Sequence, residues 1–412
     1  MNISVGLMEG RPAIEVELNG KFNDENGKPY SAGRHRLTAA ITLTPSDPSA
    51  AFAIDDVTIG IGFHWERKER QMFRGALRLI KRGEGFTVIN DVPLEEYVKS
   101  VISSEMSASC PMDLLKAHAV ISRSWLMAPK VPPLPLPKAQ DSHEVIRWYE
   151  REAHTDFDVC ADDHCQRYQG ITKAFSDAAT EAVNASRGEF LLYDGKICDA
   201  RFSKSCGAVT EEFATAWEDR EVPYLKSVYD GPDQSLSYAA EDLIRTELPA
   251  YCDTRDADLL RRILPGFDQE TQDFYRWRVE YSNDELGELI KTRLGVDLGR
   301  IHDLQSLARG PSGRIYRLKI IGEKDYLVLG KELEIRRALS RSHLYSSAFV
   351  VDKESSRLVL RGAGWGHGVG LCQIGAAVMA NQGKNYKEIL AHYYRGSDVT
   401  AETRRSSSAS LR

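Results

Sequence analysis

The chain has 412 residues, 42% hydrophobic and 28% charged, with a formal net charge of −6. That length suits one large domain with insertions or two domains, and either can bury a sizeable core. With no long Lys/Arg run, a nucleic-acid partner has no electrostatic support. No apolar run approaches the roughly 18 residues that a spanning helix needs, so no transmembrane segment is expected.

Residues 1–90 read as a β-rich N-terminal part. The opening MNISVGLMEGRPAIEVELNG has no basic stretch followed by an apolar one, so no signal peptide is expected in it. The chain is either cytoplasmic as written or given without a leader, and both stay open. Short runs at Ile14–Leu18, Arg36–Leu43, Asp56–Gly62, Ala76–Lys81 and Gly85–Ile89 are bounded by Gly, Pro, Asn or Asp, as strands are.

Asp91–Ala128 reads as two amphipathic helices around a polar bend. Pro93 suits a first helical turn, and Leu94, Tyr97, Val98, Val101 and Ile102 recur at helical spacing. Ser103 and Ser104 interrupt the pattern. Pro111 marks a second start, followed by a stripe of Leu114, Ala117, His118, Ile121 and Trp125. Glu105 lies in the bend, at the floor of any cleft the helices form. On spacing alone a solvated linker residue is the better reading of it.

The Pro-rich segment Pro129–Lys138 is expected to be extended or irregular. In AHTDFDVCADDHC, His154, Cys160, His164 and Cys165 give two imidazoles and two thiols within twelve residues, the donors that tetrahedral zinc prefers. The spacing is not that of a zinc finger. A metal-free loop held by a disulfide or polar contacts is the competing reading.

Ile171–Arg187 reads as a helix with Gly188 at its cap, and Asp194–Gly195 as a two-residue hairpin turn. The hairpin ends in Ser203-Lys204-Ser205-Cys206-Gly207, where Ser203 and Ser205 are candidate substrate contacts and a plain strand end is the alternative. Trp217 and Tyr224 could stack on sugars but suit core packing better. About 231–267 reads as a variable insertion. A strand at Tyr275–Tyr281, a helix from Asn283 as N-cap and a strand at Ile315–Ile321 follow.

Gly362, Gly364, Gly366, Gly368 and Gly370 alternate through RGAGWGHGVG, leaving Trp365 and His367 as the large side chains. Glycine there permits positive φ and close approach of backbone to a ligand or to another chain segment. The run is neither a phosphate loop nor a dinucleotide fingerprint. A helix at Gln373–Gln382 and a last one opened by Asn385 with Glu388 come next. Residues 397–412 are expected as a disordered tail. Seven cysteines leave at least one unpaired; Cys198 and Cys206 could bridge, while Cys110, Cys252 and Cys372 read as buried free thiols.

Three of these segments together resemble the stage II sporulation protein D (SpoIID/LytB) family. The first has Leu94-Glu95-Glu96-Tyr97, then Glu105 before Met106, Pro111, and Leu115-Lys116-Ala117-His118-Ala119-Val120 running to Arg123. The others are the His/Cys loop, which some members use to bind zinc, and Gly364–Gly370 followed by Gln373. Ala208, Cys372 and Ile374 stand where members commonly carry Gly, Ser and Tyr. The resemblance spans about Asp91 to Gly396. It implies an α+β fold: a β-rich N-terminal part on a mixed core (91–396) with a helical lobe around a glycan-binding groove.

The resemblance further implies peptidoglycan glycan strands, stripped of stem peptides, as substrate, and a cell-envelope or periplasmic location. Glu105 matches the catalytic acid of a lytic transglycosylase. Ser203, Ser205, Trp365, His367 and Gln373 would border the substrate, and a structural Zn2+ would sit on His154, Cys160, His164 and Cys165. A non-catalytic amidase enhancer, binding the wall and stimulating a cell-wall amidase, is the rival reading. A zinc hydrolase with His154 and His164 at an open site is disfavoured, since two thiols close the site.

Overall fold

The computed structural model describes the chain except residues 64, 132, 133, 135–142, 150–153, 175, 233–238, 272 and 402–412, and it has the expected α+β character. Most of the Pro-rich segment and the end of the tail lie outside the described residues.

Residues 1–93 form two sheets around one core. The first runs in the order Val159–Cys160, β1 (Asn2–Arg11), Gly85–Pro93, Ala76–Arg82, Ile41–Pro45, Phe22–Asn23, Pro29–Tyr30. The second is Gly33–Leu37, β2 (Ile14–Asn19), Ala51–Ile59, Arg67–Arg74. Arg36–Leu43, expected as one strand, is split between the two sheets. Phe52 stacks on Phe73 within the second sheet and meets Phe22 of the first edge-on, with centroids 5.4 and 6.4 Å apart. Such packing of buried rings joins the two sheets.

Helix α1 (Leu94–Glu105) starts directly from the strand that Pro93 ends, with Pro93 as N-cap and not first helical residue. Ser103 and Ser104 do not break it. Their hydroxyls donate back to the carbonyls of Lys99 and Ser100 at 2.9 and 2.8 Å, so the polar side chains are satisfied inside the helix. Helix α2 (Met112–Met127) is buried along most of its length and packs on α1 and on α3 (Asp177–Ala185). Arg123 of α2, fully buried, forks onto Glu95 of α1 at 3.3 and 2.7 Å and donates to the Glu189 carbonyl at 3.0 Å. This ion pair accounts for two residues of the first motif: both hold the helix pair together.

Helix α3 begins six residues later than expected, where the Ser176 hydroxyl caps it by accepting the Ala178 amide at 3.1 Å; the Ile171 amide donates to the Met72 carbonyl instead. Asp194 and Gly195 both have positive φ, +48° and +72°, and close the expected hairpin. Within the stretch read as a variable insertion, Leu243, Leu248, Leu259 and Ile263 are buried in the main core. The amide of Ser107 donates to the Ile263 carbonyl, so this segment buttresses the turn after Glu105.

A second core holds Trp277, Leu286, Ile290, Leu318, Phe349 and Leu360. It lies between a three-stranded sheet (Arg276–Ser282, Arg357–Ala363, Phe349–Glu354), a four-stranded one and the helix Asn283–Leu294, which Ser282 and not Asn283 caps. At the C-terminus Asp398–Ala401, expected in the tail, pairs antiparallel with Glu189–Tyr193. No helix among the described residues is long and apolar enough to cross a membrane.

Candidate functional site

Glu105 is the last residue of α1, and about 8% of it is exposed. Its Oε1 accepts the backbone N–H of Arg167 at 2.9 Å. Lys204 Nζ donates to the Glu105 carbonyl at 2.8 Å and pairs with Asp268 at 2.7 Å. The Arg167 guanidinium pairs with Asp163 at 2.6 Å and Asp268 at 3.7 Å, and lies over the Trp65 ring. Three acids thus share two cations in a nearly closed space. Burial pushes the Glu105 carboxyl up; the Arg167 charge opposes this, the Asp163 charge adds to it, and the net direction is upward. A carboxyl so placed holds its proton further into the neutral range than an exposed one.

The segment that presents the Arg167 amide is fixed on both sides. Its immediate neighbours are held by Tyr97: Tyr168 stacks on that ring with centroids 5.4 Å apart, and the Tyr97 hydroxyl donates to Gln166 at 3.1 Å. Upstream lies the His/Cys loop. Val159–Cys160 joins β1 as a short parallel strand, and Asp162 accepts the amides of Gly60 and Ile61, each at 3.1 Å. The ligand atoms of His154, Cys160, His164 and Cys165 all lie within 4.8 Å of one another. Cys165 Sγ is 3.4 Å from His154 Nε2 and 3.5 Å from His164 Nδ1; Cys160 Sγ is 4.0 Å from His164 Nδ1. A tetrahedral zinc with bonds of about 2.3 Å to sulfur and 2.0–2.1 Å to nitrogen has S···N edges of about 3.6 Å. The donor set and its spacing fit that ion.

The other candidate residues fall in two groups. Ser205 is wholly buried and its backbone bridges to Trp365, so it contributes main chain and not a surface hydroxyl. Gln373, 2% exposed, bonds His118 Nε2 at 2.9 Å, and His118 Nδ1 lies 3.0 Å from the Ser122 hydroxyl. Ser203 is also buried, beside Gly366. Trp365 and His367 remain half-buried. Trp365 packs on Phe274 and Tyr345 at 4.7 and 4.8 Å. His367 Nδ1 accepts the Val369 amide at 3.0 Å, and its ring meets Trp217 edge-on at 4.9 Å. Burial, with Arg201 and Arg314 near, keeps His367 neutral well below the usual histidine range. Trp217 is itself core, under the Arg201 guanidinium.

The alternating glycines serve another chain segment. Gly364, Gly366, Gly368 and Gly370 take φ of +74°, +90°, +76° and +75°. A Cβ on Gly368 would strike the guanidinium of Arg314, and one on Gly370 the carbonyl of Arg201. Arg314 is fully buried and donates to the carbonyls of Gly366 and Cys206 at 3.0 and 3.1 Å. The loop is therefore wrapped around a buried arginine. Ala208, where the resembled family commonly has glycine, takes φ +101°.

Arg167, Lys204, Asp268 and His118 are the residues that sequence reasoning missed around this centre. Lys204 lies inside the polar run that the sequence marks, but only the fold shows that it reaches Glu105. Two surface hollows, one on α3 at Asp177–Ala185 and one at Gly231, Tyr251, Lys384 and His392, are not lined by Glu105.

Residues 82–193 match the family described as Stage II sporulation protein, and 211–370 a Domain of unknown function (DUF8618). The resemblance read in the motifs is thereby upheld. The chain is 27% identical over 317 residues to Stage II sporulation protein D of Bacillus amyloliquefaciens, covering 76% of this chain and 75% of that one. It is 27% identical over 331 residues to an uncharacterized protein of Brachyspira hyodysenteriae, 79% of this chain and 72% of the other. A protein of Bacillus subtilis named Amidase enhancer is 25% identical over 320 residues, 74% of this chain and 40% of that protein.

Proposed function

From a chain that carries a stage II sporulation protein domain and is similar to such proteins over three quarters of its length, we propose a lytic transglycosylase of the cell envelope. Its substrate is the peptidoglycan glycan strand, stripped of stem peptides and cut between muramic acid and glucosamine. The observation that carries this reading is Glu105: a nearly buried carboxyl with its pKa raised, held by the Arg167 amide. Protonated, it donates to the glycosidic oxygen as the bond breaks. As carboxylate, it then takes the proton of the muramoyl C6 hydroxyl that captures the oxocarbenium-like centre. One carboxyl serves both steps, whereas hydrolases usually place two. Asp163 and Asp268, the nearest further acids, are drawn into ion pairs with Arg167 and Lys204, which favours the single-acid route.

A zinc ion on His154, Cys160, His164 and Cys165 would be structural and would fix the turn that delivers Arg167. Trp365 and His367, the half-buried pair, are proposed to meet the sugar without reacting. Purified denuded strands treated with native protein and with Glu105→Gln test the reading.

The similarity to a protein named Amidase enhancer supports one second reading, a wall-binding partner of an amidase. In that case Glu105→Gln stimulates the amidase as well as native protein does, and native protein releases nothing from strands.

A further inference from the structure

The sequence offers Cys198 as a partner for Cys206 and leaves Cys252 and Cys372 as plain buried thiols. The fold gathers them differently. Cys206, Cys252 and Cys372 meet at one point with Asp230, all four within 2% of full burial, their ligand atoms within 4.8 Å of one another. We propose that these four residues form a second metal site, separate from the His/Cys loop, for a thiophilic divalent cation, namely zinc.

The geometry is that of a closed tetrahedral centre. Cys206 Sγ and Cys252 Sγ are 3.7 Å apart. A zinc with bonds of about 2.3 Å to sulfur has S···S edges of about 3.8 Å. The surroundings supply what thiolate and carboxylate ligands need outside the metal. The Cys206 amide donates to Cys372 Sγ at 3.3 Å. The Cys252 amide donates to Asp230 Oδ2 at 2.9 Å, and the Tyr393 hydroxyl to Asp230 Oδ1 at 2.6 Å, which orients the carboxylate. Gly375 leaves room for this: a Cβ there would meet both Asp230 oxygens and the Tyr393 hydroxyl. In their ionised, metal-binding form four such groups buried together are costly unless paired or bound to a cation. The buried Arg314 guanidinium on the Cys206 carbonyl offsets part of the remaining negative charge.

The chain reaches the surface close to these residues in sequence. The surface hollow near the C-terminal helices is lined by Gly231, Tyr251 and His392, each one residue from Asp230, Cys252 and Tyr393. The site would clamp four segments far apart in sequence, beneath the loop that carries Trp365 and His367. Structural zinc contributes its binding energy to folding.

Metal content and cobalt spectra decide the matter. In the intact chain, Cys252→Ser and Asp230→Asn should each lower bound zinc by one equivalent. Cys160→Ser/Cys165→Ser, which empties the loop site, should retain one equivalent. With Co(II) as probe that double variant should show thiolate-to-metal absorption of a tetrahedral centre, and adding Cys252→Ser should abolish it. If the combined variant does not fold, the Cys252→Ser and Asp230→Asn counts in the intact chain decide alone. Metal content unchanged by both substitutions, or a disulfide joining any two of Cys206, Cys252 and Cys372 on nonreducing peptide mapping, overturns the proposal. Loss of all metal from Cys160→Ser/Cys165→Ser while it stays folded overturns it too. Failure of the loop site alone appears instead as unchanged metal in that variant.

Discussion

Glu105 Oε1 accepts the backbone amide of Arg167, and Arg167 lies two residues beyond Cys165. The candidate acid and the candidate zinc loop are therefore one mechanical unit, in which the loop sets where the amide points. Disordering the loop should misplace that amide, and a displacement of about 1 Å can cost roughly 10²-fold in rate. Cys160→Ser/Cys165→Ser should slow strand cleavage by that order and lower the thermal midpoint, measured by product release and calorimetry. Full activity in a metal-free loop variant would separate the two features.

The raised pKa of Glu105 has a sign that can be checked twice. The acid form reacts first, so cleavage should fall as pH rises through the raised value. Asp163 pushes Glu105 up, so Asp163→Asn should move that alkaline limb to lower pH. A carboxyl whose pKa is higher folded than unfolded stabilises fully below its unfolded pKa, and that stabilisation is lost as pH rises through the folded one. Glu105→Gln should accordingly make the protein less sensitive to that rise, in urea titrations across pH, and more stable above it.

Gly368→Ala puts a methyl group into the Arg314 guanidinium at a φ of +76°. Overpacking and left-handed strain each cost of order 1–3 and 1–2 kcal/mol, so a loss of about 2 kcal/mol or more is expected in urea unfolding. A neutral result would mean that the loop moves freely off Arg314.

His367→Ala leaves the buried Val369 amide without its acceptor, which costs about 1–3 kcal/mol. It should slow cleavage far less than Glu105→Gln does, because its Nδ1 is already spent on the backbone. Equal losses of activity in folded variants would make His367 a reacting group.

The local signals are legible in the sequence: the helical stripes around Glu105, the Asp194–Gly195 turn, the capping box of Asn385 and Glu388, and four metal-type donors in one short loop. What stays hidden depends on distant residues meeting. Lys204 and Arg167 carry no local sign of their roles, because nothing near them in sequence shows Asp268 or Glu105. Ser103 and Ser104 look like a helix break because side-chain bonds to the preceding turn leave no trace in apolar spacing. The glycine run points correctly to close approach, but the buried Arg314 it surrounds lies some fifty residues upstream. Likewise no spacing among Cys206, Cys252 and Cys372 shows that the three thiols converge on Asp230.

The most direct measurement is mass analysis of products from denuded glycan strands. Native protein should release fragments ending in anhydro-muramic acid. Glu105→Gln, which keeps shape but not acidity, should reduce release by about 10²–10⁴-fold while still binding the strands. Reducing-end products, or equal release by native protein and Glu105→Gln, would contradict the assignment of Glu105 as the acid of a lytic transglycosylase.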